Sequence, residues 1–153
     1  MSRSTEVSGL QDHLGYWLRF VSNQVSHAFS LKVAAHGVTV AEWVMLRELY
    51  DGDAMVPSAL AERLGMTRGA ISKLADRLAA KALLVRVPGK VDRRYQDLAL
   101  TAAGRKLVPT LSELADQNDA EFFGHLSPED RAIIRRLMMG IVRELGLRTT
   151  PVD

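Results

Sequence analysis

The chain has 153 residues, 47% hydrophobic and 25% charged, enough apolar material for one compact core, and no apolar run approaches the roughly 20 residues of a membrane span. Cysteine is absent, which excludes disulfides, thiolate metal sites, cysteine nucleophiles and thiol-based redox sensing. The net charge of +2 points to no partner class until it is divided along the chain.

Residues 10–35 read as one long helix, because Leu14, Leu18, Val21, Val25 and Ala28 alternate spacings of four and three, the rhythm of a helix-packing seam. Gly37 is placed to cap it. Thr39 with Glu42 three residues later forms a capping box and starts a second helix. That helix carries Trp43, Leu46, Leu49 and Tyr50 on its apolar face and ends at Asp51-Gly52-Asp53. A short third helix follows from about Ser58 to Leu64, with Pro57 at its first turn and Leu60, Ala61 and Leu64 facing inward. Gly65-Met66 breaks it. Thr67 then caps a fourth helix to about Lys81, with Ile71, Leu74, Ala75 and Leu78 as its buried row. Helix, tight glycine turn, helix is the helix-turn-helix pattern.

The hydrophobic period then changes from that of a helix to that of a strand. Leu84-Val85-Arg86-Val87 and Asp97-Leu98-Ala99-Leu100 read as two short strands around a cationic tip, Lys90 to Gln96, with Pro88-Gly89 closing the first. A hairpin in that place is a wing. Thr101 caps a long fifth helix with Leu107, Leu111, Leu114, Asn118 and Phe122 along one stripe. Ser127-Pro128-Glu129-Asp130 is another capping box; it opens a sixth helix striped with Ile133, Ile134, Leu137, Met138, Ile141 and Leu145 and ended by Gly146.

The expected fold is therefore mainly α with a small β-hairpin wing, a winged helix-turn-helix flanked by a helical dimerisation region. Its divisions are an N-terminal dimerisation helix (1–36), a DNA-binding domain (37–101), C-terminal dimerisation helices (102–147) and a loose tail (148–153). The terminal helices carry more apolar surface than the central domain can cover. They are expected to bury one another across a two-fold homodimer, the alternative being a monomeric bundle.

Between Thr67 and Arg105 nine Lys or Arg residues stand against three Asp, a net of +6, so the rest of a chain of net +2 carries −4. Cations gathered on one stretch of an otherwise acidic chain suit a polyanion, and here double-stranded DNA. Thr67, Arg68, Gly69, Ser72, Lys73 and Arg77 lie at the start or on the outer face of the fourth helix, where Arg can take a guanine edge in the major groove and Gly69 permits close approach. Asp76 between them is expected to hold a neighbouring arginine. In the wing, Lys90, Asp92, Arg93 and Arg94 form the tip; an arginine there can enter a narrow minor groove, with Asp92 aiming Arg94 through a bidentate pair.

The run Asp92-Arg93-Arg94-Tyr95-Gln96-Asp97-Leu98-Ala99-Leu100-Thr101, followed by Gly104, resembles the wing signature of the MarR (multiple-antibiotic-resistance regulator) family. Leu60 to Thr67 and Ser72 to Leu78 resemble that family's third and recognition helices. The resemblance implies a dimer held by the first, fifth and sixth helices on a palindromic operator. It assigns major-groove reading to Arg68, Ser72, Lys73 and Arg77, and minor-groove insertion to Arg94 supported by Asp92. It further implies a transcriptional regulator, commonly a repressor released by a small aromatic or phenolic effector; the absence of cysteine fits the reducing cytoplasm as its location. His13, Tyr16, Trp17 and Trp43 fall near the expected effector pocket, although Trp17 and Trp43 also read as core.

No cofactor and no metal are expected, since His13, His27, His36 and His125 include no pair at helical ligand spacing. The sequence has no Gly-rich cofactor loop, P-loop or nucleophile elbow, so an enzyme is not expected. The first residues, Met1 to Glu6, carry no apolar run behind a basic one, so no secretory signal is expected. A non-specific architectural DNA binder remains the alternative function.

Overall fold

Each hydrophobic period of the sequence becomes an element in the computed structural model, which describes residues 6–148. The helices are α1 (Leu14–Ala34), α2 (Val40–Tyr50), α3 (Pro57–Leu64), α4 (Arg68–Ala80), α5 (Ala102–Phe123) and α6 (Pro128–Glu144), and β1 (Leu84–Pro88) pairs antiparallel with β2 (Gln96–Leu100) between α4 and α5. The hairpin register sets Leu84 opposite Leu100 and Arg86 opposite Leu98. Met55, in the α2–α3 connection, adds an isolated bridge on the other edge of β2: its N–H and C=O exchange 2.9 Å bonds with Leu98. Nothing in the local sequence marks that bridge. The loose tail expected at 148–153 lies outside the described residues apart from Arg148.

The core gathers one face from each element of the winged unit. Val33 of α1, Met45, Leu46 and Leu49 of α2, Leu60 of α3, Ile71 and Leu78 of α4, Leu98 of β2, and Val108 and Leu111 of α5 are all buried. The fourth helix buries the row expected of it: Ile71, Leu74, Ala75 and Leu78. Polar ties hold α1 on α5. The buried Asn118 donates from Nδ2 to the Val25 carbonyl at 3.2 Å and accepts from Lys32 Nζ at 2.9 Å, and Lys32 also pairs with Glu121 at 2.8 Å. Both ends of the amide are satisfied, which is what allows a polar residue in an apolar stripe.

Three local expectations change. The helix expected over 10–35 is divided: Leu10–Asp12 is a 3-10 turn, and His13, with φ −96° and ψ 127°, interrupts it before α1. The Asp12 carboxylate accepts from the Gly9 amide at 2.8 Å, closing that turn on itself. At α2, Thr39 Oγ1 accepts from the Glu42 amide at 3.1 Å as a cap should, but the Glu42 carboxylate does not reach back; it is buried and paired with Lys81. Finally, α6 and the first turns of α1 stand outside the core. Leu14, Leu18, Ile133, Leu137 and Leu145 are all exposed within the single chain. Among the described residues no helix is long and apolar enough to cross a membrane.

Candidate nucleic-acid interface

The turn between α3 and α4 is built by glycine. Gly65 takes φ 63° and ψ 34°, the left-handed conformation that a residue with Cβ adopts at a cost. Met66 N–H then reaches back to the Ala61 carbonyl at 2.9 Å, and Thr67 Oγ1 accepts from the Ala70 amide at 3.1 Å. With the inner row of α4 buried, Arg68, Gly69, Ser72, Lys73, Asp76 and Arg77 form its exposed face. Asp76 holds an arginine, but across space: Arg86 Nη2 of β1 lies 2.7 Å from its carboxylate, which ties the wing to the helix.

The wing tip closes through Gly89 N–H on the Tyr95 carbonyl at 2.8 Å and Tyr95 N–H on the Asp92 carbonyl at 3.1 Å. A Cβ on Gly89 would run into the Asp92 carbonyl, so only glycine allows this closure. Asp92 organises the tip. Its carboxylate accepts the Arg94 amide at 3.0 Å, Nε at 3.1 and 3.2 Å, and Nη2 at 2.7 Å. The Arg94 guanidinium holds the Asp92 carboxyl below the usual carboxylate range, with its backbone N–H as the second cause; the same pair raises Arg94. Yet the Arg94 side chain is 84% exposed. It is aimed and remains free on its outer side.

Of the nine cations counted in this segment, Arg94 is paired with Asp92 and three more are engaged within the fold. Lys81 is taken by Glu42, Arg86 by Asp76, and Arg105 donates to the carbonyls of Tyr50 (3.1 Å) and Gly52 (2.6 Å), capping α2. Arg68, Lys73, Arg77, Lys90 and Arg93 are exposed and make no ion pair among the described residues. One cleft of about 560 Å³ joins these parts: Ser58 in the first turn of α3, Arg68 at the start of α4, and Asp92, Tyr95 and Asp97 of the wing all line it. The two DNA-reading elements expected from the sequence therefore share one face.

The residues expected around an effector are not brought together within one chain. His13 Nδ1 lies 2.9 Å from the Gly9 carbonyl, and Trp17 Nε1 donates to the Gln11 carbonyl at 2.9 Å. Tyr16 packs edge-on against Trp17 at 5.3 Å between ring centroids. Trp43 instead packs on Phe29 at 6.4 Å, and Phe29 lies about 18 Å further along α1 than Trp17 at 1.5 Å per residue. A second cleft, about 470 Å³, opens where α5 meets α6, lined by Phe123, Leu126, Arg131, Ile134, Arg135 and Met138. None of those four residues lines it.

Comparison with known proteins agrees with this geometry. The model of the MarR family matches residues 36–94. A Thauera aromatica protein assigned to transcriptional regulation of the hcr operon is 26% identical over 132 residues, 86% of this chain and 80% of that protein. The transcriptional repressor MdtR of Bacillus subtilis is 38% identical over 68 residues, 44% of each chain. Among solved structures, that of Bordetella bronchiseptica BpsR, a study of how 6-hydroxynicotinic acid regulates its DNA binding, superposes with a TM-score of 0.79 at 25% identity, over 88% of this chain and 96% of that one.

Proposed function

Because the chain belongs to the MarR family of winged-helix transcriptional regulators, we propose that it is a homodimeric repressor that reads a palindromic operator and is released by a small aromatic acid or phenol. The observation that carries the DNA reading is the shared cleft, lined by Arg68 of α4, Ser58 of α3 and Asp92 of the wing, whose carboxylate holds Arg94. A duplex laid there meets α4 in its major groove and Arg94 in the adjacent minor groove. Arg68, Ser72, Lys73 and Arg77 read or position, Thr67 and Gly69 bring the helix start close to the backbone, and Lys90 and Arg93 meet phosphates.

Dimerisation is supported by the apolar faces of α6 and of the first half of α1, which nothing among the described residues covers. The effector class is supported by BpsR, whose DNA binding responds to an aromatic acid. His13, Tyr16 and Trp17 can join Trp43 around such a ligand only across the two protomers.

The test is selection of duplexes from a random pool, followed by gel shift against scrambled sequence. Specific, inverted-repeat sites bound at one dimer each are expected; equal affinity for every sequence makes the protein an architectural DNA binder instead. A thermal-shift screen of aromatic acids, with and without the selected operator, then identifies the effector as a compound that stabilises the free protein and weakens the complex.

A further inference from the structure

We infer that the Glu42–Lys81 ion pair is a positioning device that references the DNA-reading helix α4 to the dimerisation helix α1 and so sets the half-site spacing the dimer accepts. The inference rests on the operator-binding reading above. It begins from a charge that DNA contact does not use: Glu42 in the first turn of α2 is 1% exposed. A carboxylate withdrawn from water is tolerated only when paired and hydrogen-bonded.

Its partner comes from 39 residues further along the chain. Lys81, the residue capping the C-terminus of α4, directs Nζ to Glu42 Oε1 at 2.9 Å, to Glu42 Oε2 at 2.7 Å and to the Gly37 carbonyl at 2.7 Å. An ammonium has three protons, and all three are spent inside the protein. Gly37, at φ +78°, is the turn that ends α1. One nitrogen therefore joins the end of α1, the start of α2 and the end of α4.

Stability alone gives no reason for such a pair, since apolar residues of similar volume in place of a buried ion pair are often neutral or better. An ion pair adds direction, which the apolar packing of Ile71, Leu74 and Leu78 does not supply. The same end of α4 is also tied to α5, where Thr101 Oγ1 donates to the Ala82 carbonyl at 2.7 Å. The reading helix is thus held by directional polar bonds at its C-terminal end, while the rest of it rests on the apolar packing of Ile71 and Leu74 and on the Asp76–Arg86 pair. The whole helix is about 20 Å long for 13 residues at 1.5 Å each. A swing of about 10° about its held end moves Arg68 by about 3.4 Å, the rise of one base pair. In a dimer whose half-sites lie roughly 34–36 Å apart, that is a full step of register on each side.

The test replaces the pair by apolar residues of matching size, Glu42→Leu with Lys81→Met, so that no unpaired charge is left buried. Wild type and variant are titrated with the selected operator and with versions carrying one base pair more or fewer between half-sites. Wild type is expected to lose affinity about tenfold or more on either altered spacing, and the double variant to bind all three within about threefold, as a dimer that melts close to wild type. A wild-type spacing penalty in the folded double variant overturns the inference. Should the double variant melt early, Glu42→Gln, which removes the charge and keeps an acceptor for Lys81, gives the same comparison: partial broadening supports the device, and an unchanged profile overturns it. A wild-type protein that binds every duplex alike fails at the earlier step, the operator reading itself.

Discussion

Replacing Ala82 by glycine should stabilise the protein by about 0.5–1 kcal/mol. Ala82 joins the reading helix to the wing and takes φ +59°, the only positive φ outside glycine among the described residues. It occupies the first position beyond the cap of α4, where its N–H bonds the Ala79 carbonyl at 3.0 Å and the Leu83 N–H bonds Leu78 at 3.0 Å, a helix ending that favours glycine. The left-handed conformation costs an L-residue about 1–2 kcal/mol. Glycine escapes that cost and loses about 0.5–1 kcal/mol more backbone entropy than alanine on folding, which leaves about 0–1.5 kcal/mol, centred on the net gain stated. The Ala82 methyl is exposed, so no packing is lost. At this chain length the melting temperature should rise by about 1–4 °C. Calorimetry at fixed protomer concentration checks it, because the melting point of a dimer depends on concentration. Ala82→Val, a branched side chain at positive φ, should lower it instead. A glycine variant that melts at or below wild type would show that the joint stores no more strain than glycine's added backbone entropy costs.

Arg94→Ala should weaken operator binding by about 1–3 kcal/mol per subunit while leaving the melting temperature unchanged; undiminished affinity in fluorescence anisotropy removes the wing from the mechanism. Arg77→Ala should relax sequence preference in a repeat of the duplex selection, whereas a uniform loss over all sequences makes Arg77 a phosphate contact. The Asp92 carboxyl, held down by Arg94, should titrate below its ordinary value of about 3.9. A depressed carboxyl contributes order that is complete above its unperturbed pKa and lost as pH falls through the lowered value. The wing clamp is therefore constant between about pH 5 and 8, and an NMR titration of Asp92 should move upward in Arg94→Ala; coincident midpoints contradict the pair. Leu137→Glu, on the exposed stripe of α6, should dissociate the dimer in sedimentation velocity, since each protomer loses about 1.5–3 kcal/mol of apolar burial; an intact dimer moves the interface elsewhere.

What the sequence made legible is what local periodicity controls. The inner row of α4 and the wing strands are where their spacing puts them, and Pro88-Gly89 ends β1 for the steric reason found at Gly89. The aimed arginine was also legible, because Asp92 and Arg94 are two residues apart and need no knowledge of the fold. Pairings across the fold were not. Glu42 stands where a capping box and a buried ion pair demand the same residue, and only Lys81, 39 positions away, decides between them. Arg86 and Arg105 likewise count as basic in the sequence but are occupied by Asp76 and by the end of α2. The segment therefore offers DNA fewer free cations than the count of nine suggests. The aromatic residues are separated within one chain for a related reason: Trp43 of α2 packs on Phe29 in the C-terminal half of α1, whereas Trp17 lies near the start of α1, a separation that spacing on either helix alone cannot reveal.

The terminal helices explain why the proposed dimer and the proposed switch are one problem. At 100° per residue, Ile133, Leu137, Ile141, Ile134, Met138 and Val142 sweep about 180° of α6, and all are exposed in the single chain. A helix resting on one flat surface buries a stripe of little more than 100°. An apolar half-cylinder has to be gripped from two sides, which in a two-fold dimer means by more than one helix of the partner. The seam on α1 grades in the same sense, from exposed Leu14 and Leu18, through half-buried Val25 and Ala28, to Val33 inside the winged core. One helix thus has one end in the proposed interface and the other in the winged unit, finishing at the turn whose carbonyl Lys81 holds. In the proposed dimer, a ligand that shifts α1 at the interface acts on the held end of α4, where a swing of about 10° becomes a base-pair step at Arg68.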